Sequence, residues 1–318
     1  MTLVSVRLDS SFGIHRITAL ADSRASIGRE DGTFKTVNDT TTKLFALPIR
    51  CFRLDGLTPG IGSWDDPYYE TQVGLGFSGS CFECLSLVAH ISRAFGALIA
   101  PQGDEPRPEA GGLMNLAGTL ITDYFDKHSG DGKPVALFLL FGFDDGRPWV
   151  AKLTWRAATG LRQELIWADE NTLMTIGRDT LFEQYASKLR SKVNKHRDDV
   201  RAKSANAQDR DIHELRVAQH DVADKKLVEE GMLRDIENEY FGSIGGVLQR
   251  LELSCQDGNV SAGYTRDDQP YIDGSQWSVT TRGALAPIPI VEKMGRQIRP
   301  WPAKDEDDKM PGAGISAP

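Results

Sequence analysis

The stretch Thr2-Leu3-Val4-Ser5-Val6-Arg7, together with Ala19-Leu20-Ala21-Asp22-Ser23-Arg24-Ala25-Ser26, decides how the rest of the chain is read. Residues 3 to 8 and 14 to 21 are short apolar-polar runs joined by Ser10-Ser11-Phe12-Gly13, a pattern that predicts a hairpin of two strands. One hairpin therefore carries both the first residues and the Asp22-Ser23-Arg24 run.

Outward from the hairpin, Lys43 to Leu47 and residues 70 to 76 predict further strands on either side of a Pro/Gly-rich loop at 55 to 67. From Cys81 to Ala100, Phe82, Leu85, Val88, Ala89, Ile91, Phe95 and Leu98 recur at helical spacing, with Pro101 and Gly103 closing the segment. Residues 113 to 127 predict a second helix. Ala136 to Phe143 is too continuously apolar and too short for anything but a buried strand. Trp149 to Leu153 and Gln163 to Ala168 follow as strands, Ile176-Gly177 ends the group, and a helix is expected to start near Thr180. From Ser187 to Glu239 charge is dense and breakers are few, which predicts one or two long solvated helices, an insertion at 188–235. Leu248 to Ser254 predicts a late strand. The tail from Pro300 cannot bury apolar area and is expected to be disordered, so the chain divides into a folded unit at 1–255 and an extension at 256–318. No internal repeat is present. Strands, paired helices, strands and then helices predict an α+β fold with two sheets inside and helices outside.

Composition bounds the function. With 318 residues, 40% of them hydrophobic, the chain can bury a large core. A net charge of -8 and a pI near 5.4 argue against a non-specific nucleic-acid binder, because phosphate neutralisation needs a positive surface. No stretch approaches the roughly 18 consecutive apolar residues of a membrane span, and the N-terminus has no basic segment followed by a long apolar one. Cys51, Cys81, Cys84 and Cys255 suit reduced thiols, and the expected location is the cytoplasm. Cys81-Phe82-Glu83-Cys84 has redox or zinc spacing, yet no second cysteine pair exists and its helix is apolar, so packing cysteines are expected. His90, His196, His213 and His220 suggest no metal site, and no cofactor is expected.

The chemistry starts at position 2. Threonine permits removal of the initiator methionine, leaving a hydroxyl and an α-amine on one residue. That amine, with a pKa of about 7.7 to 8.0, can take the hydroxyl proton near neutral pH. Taken singly, Asp22 and Lys43 read as no more than a surface ion pair.

Taken in order, these segments resemble the start of proteasome β-type subunits and of the bacterial HslV peptidase, whose mature chains open with threonine. That resemblance implies an Ntn-hydrolase fold, a four-layer αββα sandwich. It also implies roles: Thr2 as nucleophile, Lys43 in Thr41-Thr42-Lys43-Leu44-Phe45 beside it, and Asp22 bracing that lysine. Gly74-Leu75-Gly76-Phe77-Ser78-Gly79-Ser80 is similar to the family's glycine-rich strand-to-helix turn, which assigns the oxyanion donor to Gly79. Arg24 and Ser78 are secondary candidates within these motifs. Further along, Gly142-Phe143-Asp144 looks like the family's Gly-x-Asp element. Arg178 falls where the family has a serine near the threonine amine, and Ser243, with Glu239, stands in for a late Asp-x-x-Ser-Gly-Gly element.

The implied activity is threonine-dependent hydrolysis of amides or peptides, with a peptide or protein substrate. A homo-oligomer of ring or stacked type and an unfoldase partner are further implications. The competing expectation is a non-catalytic scaffold or interaction subunit of the same fold.

Overall fold

Period-two alternation along β1 (Leu3–Ser11) and β2 (Ile14–Ala21) gives this hairpin one apolar face, with Val4, Val6, Leu8, Ile17 and Ala19, and one mixed face, with Leu3, Ser5, Arg7, Thr18 and Leu20, all of them buried. The computed structural model describes residues 3–11, 14–29, 33–53, 66–100, 105–127, 134–167, 173–177, 228–239, 242–256, 258–266, 269–272 and 275–276. After the hairpin come β3 (Ala25–Gly28), β4 (Phe34–Asn38), β5 (Leu44–Arg53), β6 (Tyr69–Gly79), α1 (Cys81–Phe95), β7 (Leu98–Ala100) and α2 (Ala110–Lys127). The later elements are β8 (Val135–Asp144), β9 (Arg147–Arg156), β10 (Gly160–Trp167), β11 (Leu173–Gly177), β12 (Gln249–Gln256), β13 (Asn259–Arg266), β14 (Gln269–Ile272) and β15 (Ser275–Gln276). A helical segment also spans 228–237.

Two sheets carry the fold. One has seven strands in the order β11-β1-β2-β12-β13-β14-β15; the other has six, β10-β9-β8-β6-β5-β7, while β3 and β4 pair separately. The sheets face each other. Val4, Val6, Ile17 and Ala19 of the hairpin pack against Leu44, Leu139, Phe141 and Val150 of the six-stranded sheet. The opposite face of that sheet, with Leu75, Phe77, Trp149 and Leu153, is covered by Leu87, Ile91 and Phe95 of α1 and by Leu113, Ala117 and Ile121 of α2. Phe125 of α2 stacks on Trp155 of β9, ring centroids 3.8 Å apart, which ties the helix to its sheet. On the outer face of the seven-stranded sheet, Leu3 and Leu20 pack with Val228, Met232 and Ile236.

The four-layer αββα sandwich expected from the sequence is corrected by this arrangement. Strands dominate the described residues; among these residues the helix pair α1 and α2 covers one sheet, and the short 228–237 segment alone lies against the other. Element order tells which segments are helical, not how many reach each sheet face. The helix expected near Thr180 and most of the insertion at 188–235 lie outside the described residues, as does the tail beyond 276. β13, β14 and β15 lie beyond residue 255 and extend the seven-stranded sheet.

Two helix boundaries also differ from expectation. Helix α1 ends at Phe95, where Gly96 takes over, and Leu98–Ala100 pairs in parallel with Cys51–Arg53 as β7. Leu98 continued the helical period by coincidence, and three residues are too few to reveal a strand. Helix α2 starts at Ala110, three residues early, because the Asp144 carboxylate accepts the Ala110 N–H at 3.2 Å and satisfies an orphan donor there. Asp144 therefore caps a helix.

Candidate active site

The site is built where the hairpin ends. Past Ala21 the chain turns in, and Asp22 is fully buried, 0% exposed, so its carboxylate needs partners. One oxygen accepts the Leu3 N–H at 2.9 Å. The other accepts the Arg24 N–H at 3.2 Å, the Gly245 N–H at 3.4 Å and the Lys43 ammonium at 3.0 Å.

Lys43, one residue before β5, is only 1% exposed. Its Nζ donates to Asp22 and, at 2.5 Å, to the Arg24 carbonyl. Its backbone is held at both ends: the N–H donates to Gln249 Oε1 at 2.9 Å, and the carbonyl accepts the Phe77 N–H at 3.1 Å. Burial pushes the Lys43 pKa below its ordinary value, and the attraction of Asp22 opposes that shift without cancelling it. A buried lysine with a lowered pKa can hold or release a proton at moderate pH.

Gly79 closes β6 with φ of +123°, and a Cβ there would sit 2.0 Å from the Val135 carbonyl oxygen, so only glycine fits. The Phe77 N–H points across to Lys43, and by the period of the ladder the Gly79 N–H lies on the same edge, three residues past Gly76, the partner of the first residue of β5. It thus faces the side where Lys43 lies. Ser78 is buried on the inter-sheet face shared with Gly74 and Gly76, and its carbonyl accepts the Cys84 thiol at 3.8 Å. Cys81 opens α1 near Lys43; burial raises its pKa and the Lys43 charge pulls it down, with burial prevailing.

Arg24 plays a different part from the one its motif suggests. Its side chain turns to Asp39, Nε to Oδ1 at 2.6 Å, and to Glu239 at 2.9 Å, while only its backbone meets Asp22 and Lys43. These carboxylates raise the Arg24 pKa, and Arg24 in turn lowers that of Glu239. Glu239 thus braces Arg24. A group whose folded pKa is depressed adds stability above its unfolded value and loses it on acidification. Arg24→Gln is therefore expected to lower the melting temperature at neutral pH, and the gap to wild type should close as pH falls below 4.5, the ordinary value for Glu239. Thermal melts over that range check it.

Ser243 is buried in the segment that docks on residues 22–24: Ser23 N–H donates to the Gly245 carbonyl at 3.2 Å and Val247 N–H to Ser23 Oγ at 2.8 Å. Thr2 and Arg178 lie outside the described residues. The described structure therefore joins Asp22 to Lys43, puts Gly79 at the end of the strand whose Phe77 bonds to Lys43, and buries Ser243 in the segment docked on residues 22–24. Sequence reasoning missed Gln249, whose amide also donates to the Thr41 carbonyl at 2.6 Å, and Asp39 beside Arg24. A glutamine as the first residue of an otherwise apolar-alternating strand was the available signal for Gln249; nothing local marks Asp39. All four cysteines are unbridged, and among the described residues no group of three or more His, Cys, Asp or Glu could hold a metal. None of their helices is long and apolar enough to cross a membrane.

The class that fold and site define is a two-sheet protein with a buried lysine–aspartate pair at the root of its first strand. No family model matches the sequence, and no curated protein matches it. Among solved structures, the chain is similar to Anbu (Gly-1 mutant) from Hyphomicrobium sp. strain MC1, at 13% identity and a TM-score of 0.44, covering 84% of this chain and 88% of that one. It is also similar to Anbu (ancestral beta-subunit) from Yersinia bercovieri, at 15% identity and a TM-score of 0.40, covering 85% and 89%. These likenesses are too distant to transfer a function. The kinship with proteasome β-subunits and HslV expected from the motifs is corrected: the solved structures named here are Anbu proteins. Asp22, Lys43 and Gly79, which carried that resemblance, sit at strand ends, where burial and turn geometry restrict residue type in unrelated folds too.

Proposed function

We propose that the chain is an N-terminal threonine amidohydrolase acting on peptides. The observation that carries this is the Lys43–Asp22 pair, sealed from water and joined through the Asp22 carboxylate to the amide of Leu3. Thr2 is bonded to that amide nitrogen, so its Cα is about 3.8 Å from that of Leu3. Once Met1 is removed, Thr2 Oγ attacks the carbonyl carbon of the scissile amide and its proton passes to the α-amine. The lysine, held by Asp22, favours the alkoxide-like form of the hydroxyl, and the Gly79 N–H receives the oxyanion. The C–N bond then breaks, the departing amine takes the proton, and water hydrolyses the Thr2 ester.

Intact-protein mass spectrometry of wild type and Thr2→Ala, each with and without a β-lactone probe, tests this reading. Wild type is expected to lack Met1 and to gain one probe mass; Thr2→Ala gains none. Retention of Met1, or a processed chain without adduct, would overturn it in favour of a non-catalytic protein. The bonds from Asp22 and Ser23 to Gly245 and Val247 favour that second reading, because they give the buried pair a purely structural task.

A further inference from the structure

We propose that the cavity bounded by β8, β9, β10 and β11 is a subsite for an acidic side chain of a peptide substrate, selected by Arg156 and Arg162. Along β9, Trp149, Ala151 and Leu153 face the helices and Val150 faces the opposite sheet. Continued along the strand, that inner face carries Lys152, Thr154 and Arg156. Thr154 stands opposite Leu137 on one side and Arg162 on the other, while Lys152 stands between Leu139 and Glu164. A face that is apolar at its centre thus turns polar towards one end. Ionised groups resist removal from water, so the sheets do not close on them, and a cavity of about 580 Å³ remains. Its size suits a side chain and its flanking peptide.

The charge of the lining is unequal. Lys152 and Glu164 face each other in register and offset one another, whereas Arg156 and Arg162 add positive charge. A guanidinium matches a carboxylate bidentately, which suits aspartate or glutamate better than a neutral amide. The position fits as well. Gly177 lines the cavity and pairs with Leu3, and Leu137 lines it and pairs with Ser78, next to Gly79. The subsite is therefore lined by the strand next to the one that bears the chain start and by the strand next to the one that ends in the oxyanion glycine. Its place relative to the scissile bond rests on the hydrolase reading; its charge does not.

The test is direct binding to the Thr2→Ala protein, by fluorescence anisotropy, of three labelled peptides identical except for one Glu, Gln or Lys, all with amidated C-termini. A fourth, the Gln peptide with a free C-terminal carboxylate, separates side-chain from terminal recognition. The Glu peptide is expected to bind at least about tenfold tighter than the Gln peptide, and the gap should shrink in about 0.5 M salt. Arg156→Glu/Arg162→Glu should erase or invert the preference with an unchanged melting temperature, while Arg156→Lys, which keeps the charge and loses the fork, keeps only part of it. Equal binding of Glu and Gln peptides, preference only for the free terminus, or indifference to charge reversal in a folded variant would overturn the proposal. Wild type that ignores the β-lactone yet prefers the Glu peptide would sink the hydrolase and keep the subsite. A labelled Thr2 with no preference among the peptides would do the reverse.

Discussion

Lys43→Met is expected to lower kcat/KM for amide hydrolysis by roughly 10²- to 10⁴-fold, the scale of a lost proton-handling group. The same change leaves the Asp22 carboxylate buried without its cation and should destabilise the fold by about 3–5 kcal/mol. The two effects are separable. Asp22→Asn/Lys43→Met removes both charges, so it should regain part of the stability in urea titrations while remaining inactive. A double variant that recovers activity with stability would mean that the pair only holds the fold together. There is also a pH signature. Because burial lowers the Lys43 pKa from its ordinary 10.5, the folded chain binds fewer protons than the unfolded chain between the two values. Stability from this group is therefore reduced below the folded pKa and rises with pH through that window. Urea midpoints of wild type should climb relative to Lys43→Met as pH is raised towards 10.5.

Gly79→Ala should be nearly as damaging for a different reason. The new Cβ would lie 2.0 Å from the Val135 carbonyl oxygen and 2.9 Å from its carbon, both backbone atoms in a neighbouring strand, at a φ of +123°. Strain and displacement together are expected to cost about 3 kcal/mol or more. Shifting the turn also moves the 79 N–H off the edge that faces Lys43, and loss of one oxyanion donor lowers kcat by about 10²- to 10³-fold. Gly146→Ala is the control: its φ is also positive, +75°, but nothing lies within 4 Å of the added methyl, so it should cost only about 1–2 kcal/mol. Equal losses of stability in the two variants would show that backbone strain alone operates at Gly79. Unchanged kcat in folded Gly79→Ala would remove the glycine from the chemistry.

Local pattern made most elements legible. The hairpin of β1 and β2, the buried strand β8 and the helices α1 and α2 all follow from apolar periodicity, because burial of one face imposes a period of two or 3.6 on the chain. Element ends were less legible. Gly96 and the parallel pairing of Leu98–Ala100 replace the longer helix, and the Asp144 carboxylate, remote in sequence, sets the start of α2. The little sheet of β3 and β4 passed unnoticed, since its exposed residues carry almost no hydrophobic alternation.

The sequence by itself determined which residues could do chemistry here: a threonine at position 2, an aspartate closing a hairpin, a lysine opening a strand and a glycine ending another. Their types are local facts, written in order along the chain. Tertiary structure alone decided what surrounds them. Pairing β2 with β12 and docking residues 243–247 on residues 22–24 excludes water from Asp22 and Lys43, and that burial, not the residue types, shifts the lysine's pKa. The same packing turned the Arg24 side chain away to Asp39 and Glu239, 215 residues further on in the case of Glu239, a partnership no local pattern encodes. Desolvation depends on what the rest of the chain brings near a group, so it becomes readable only when the sheets have closed.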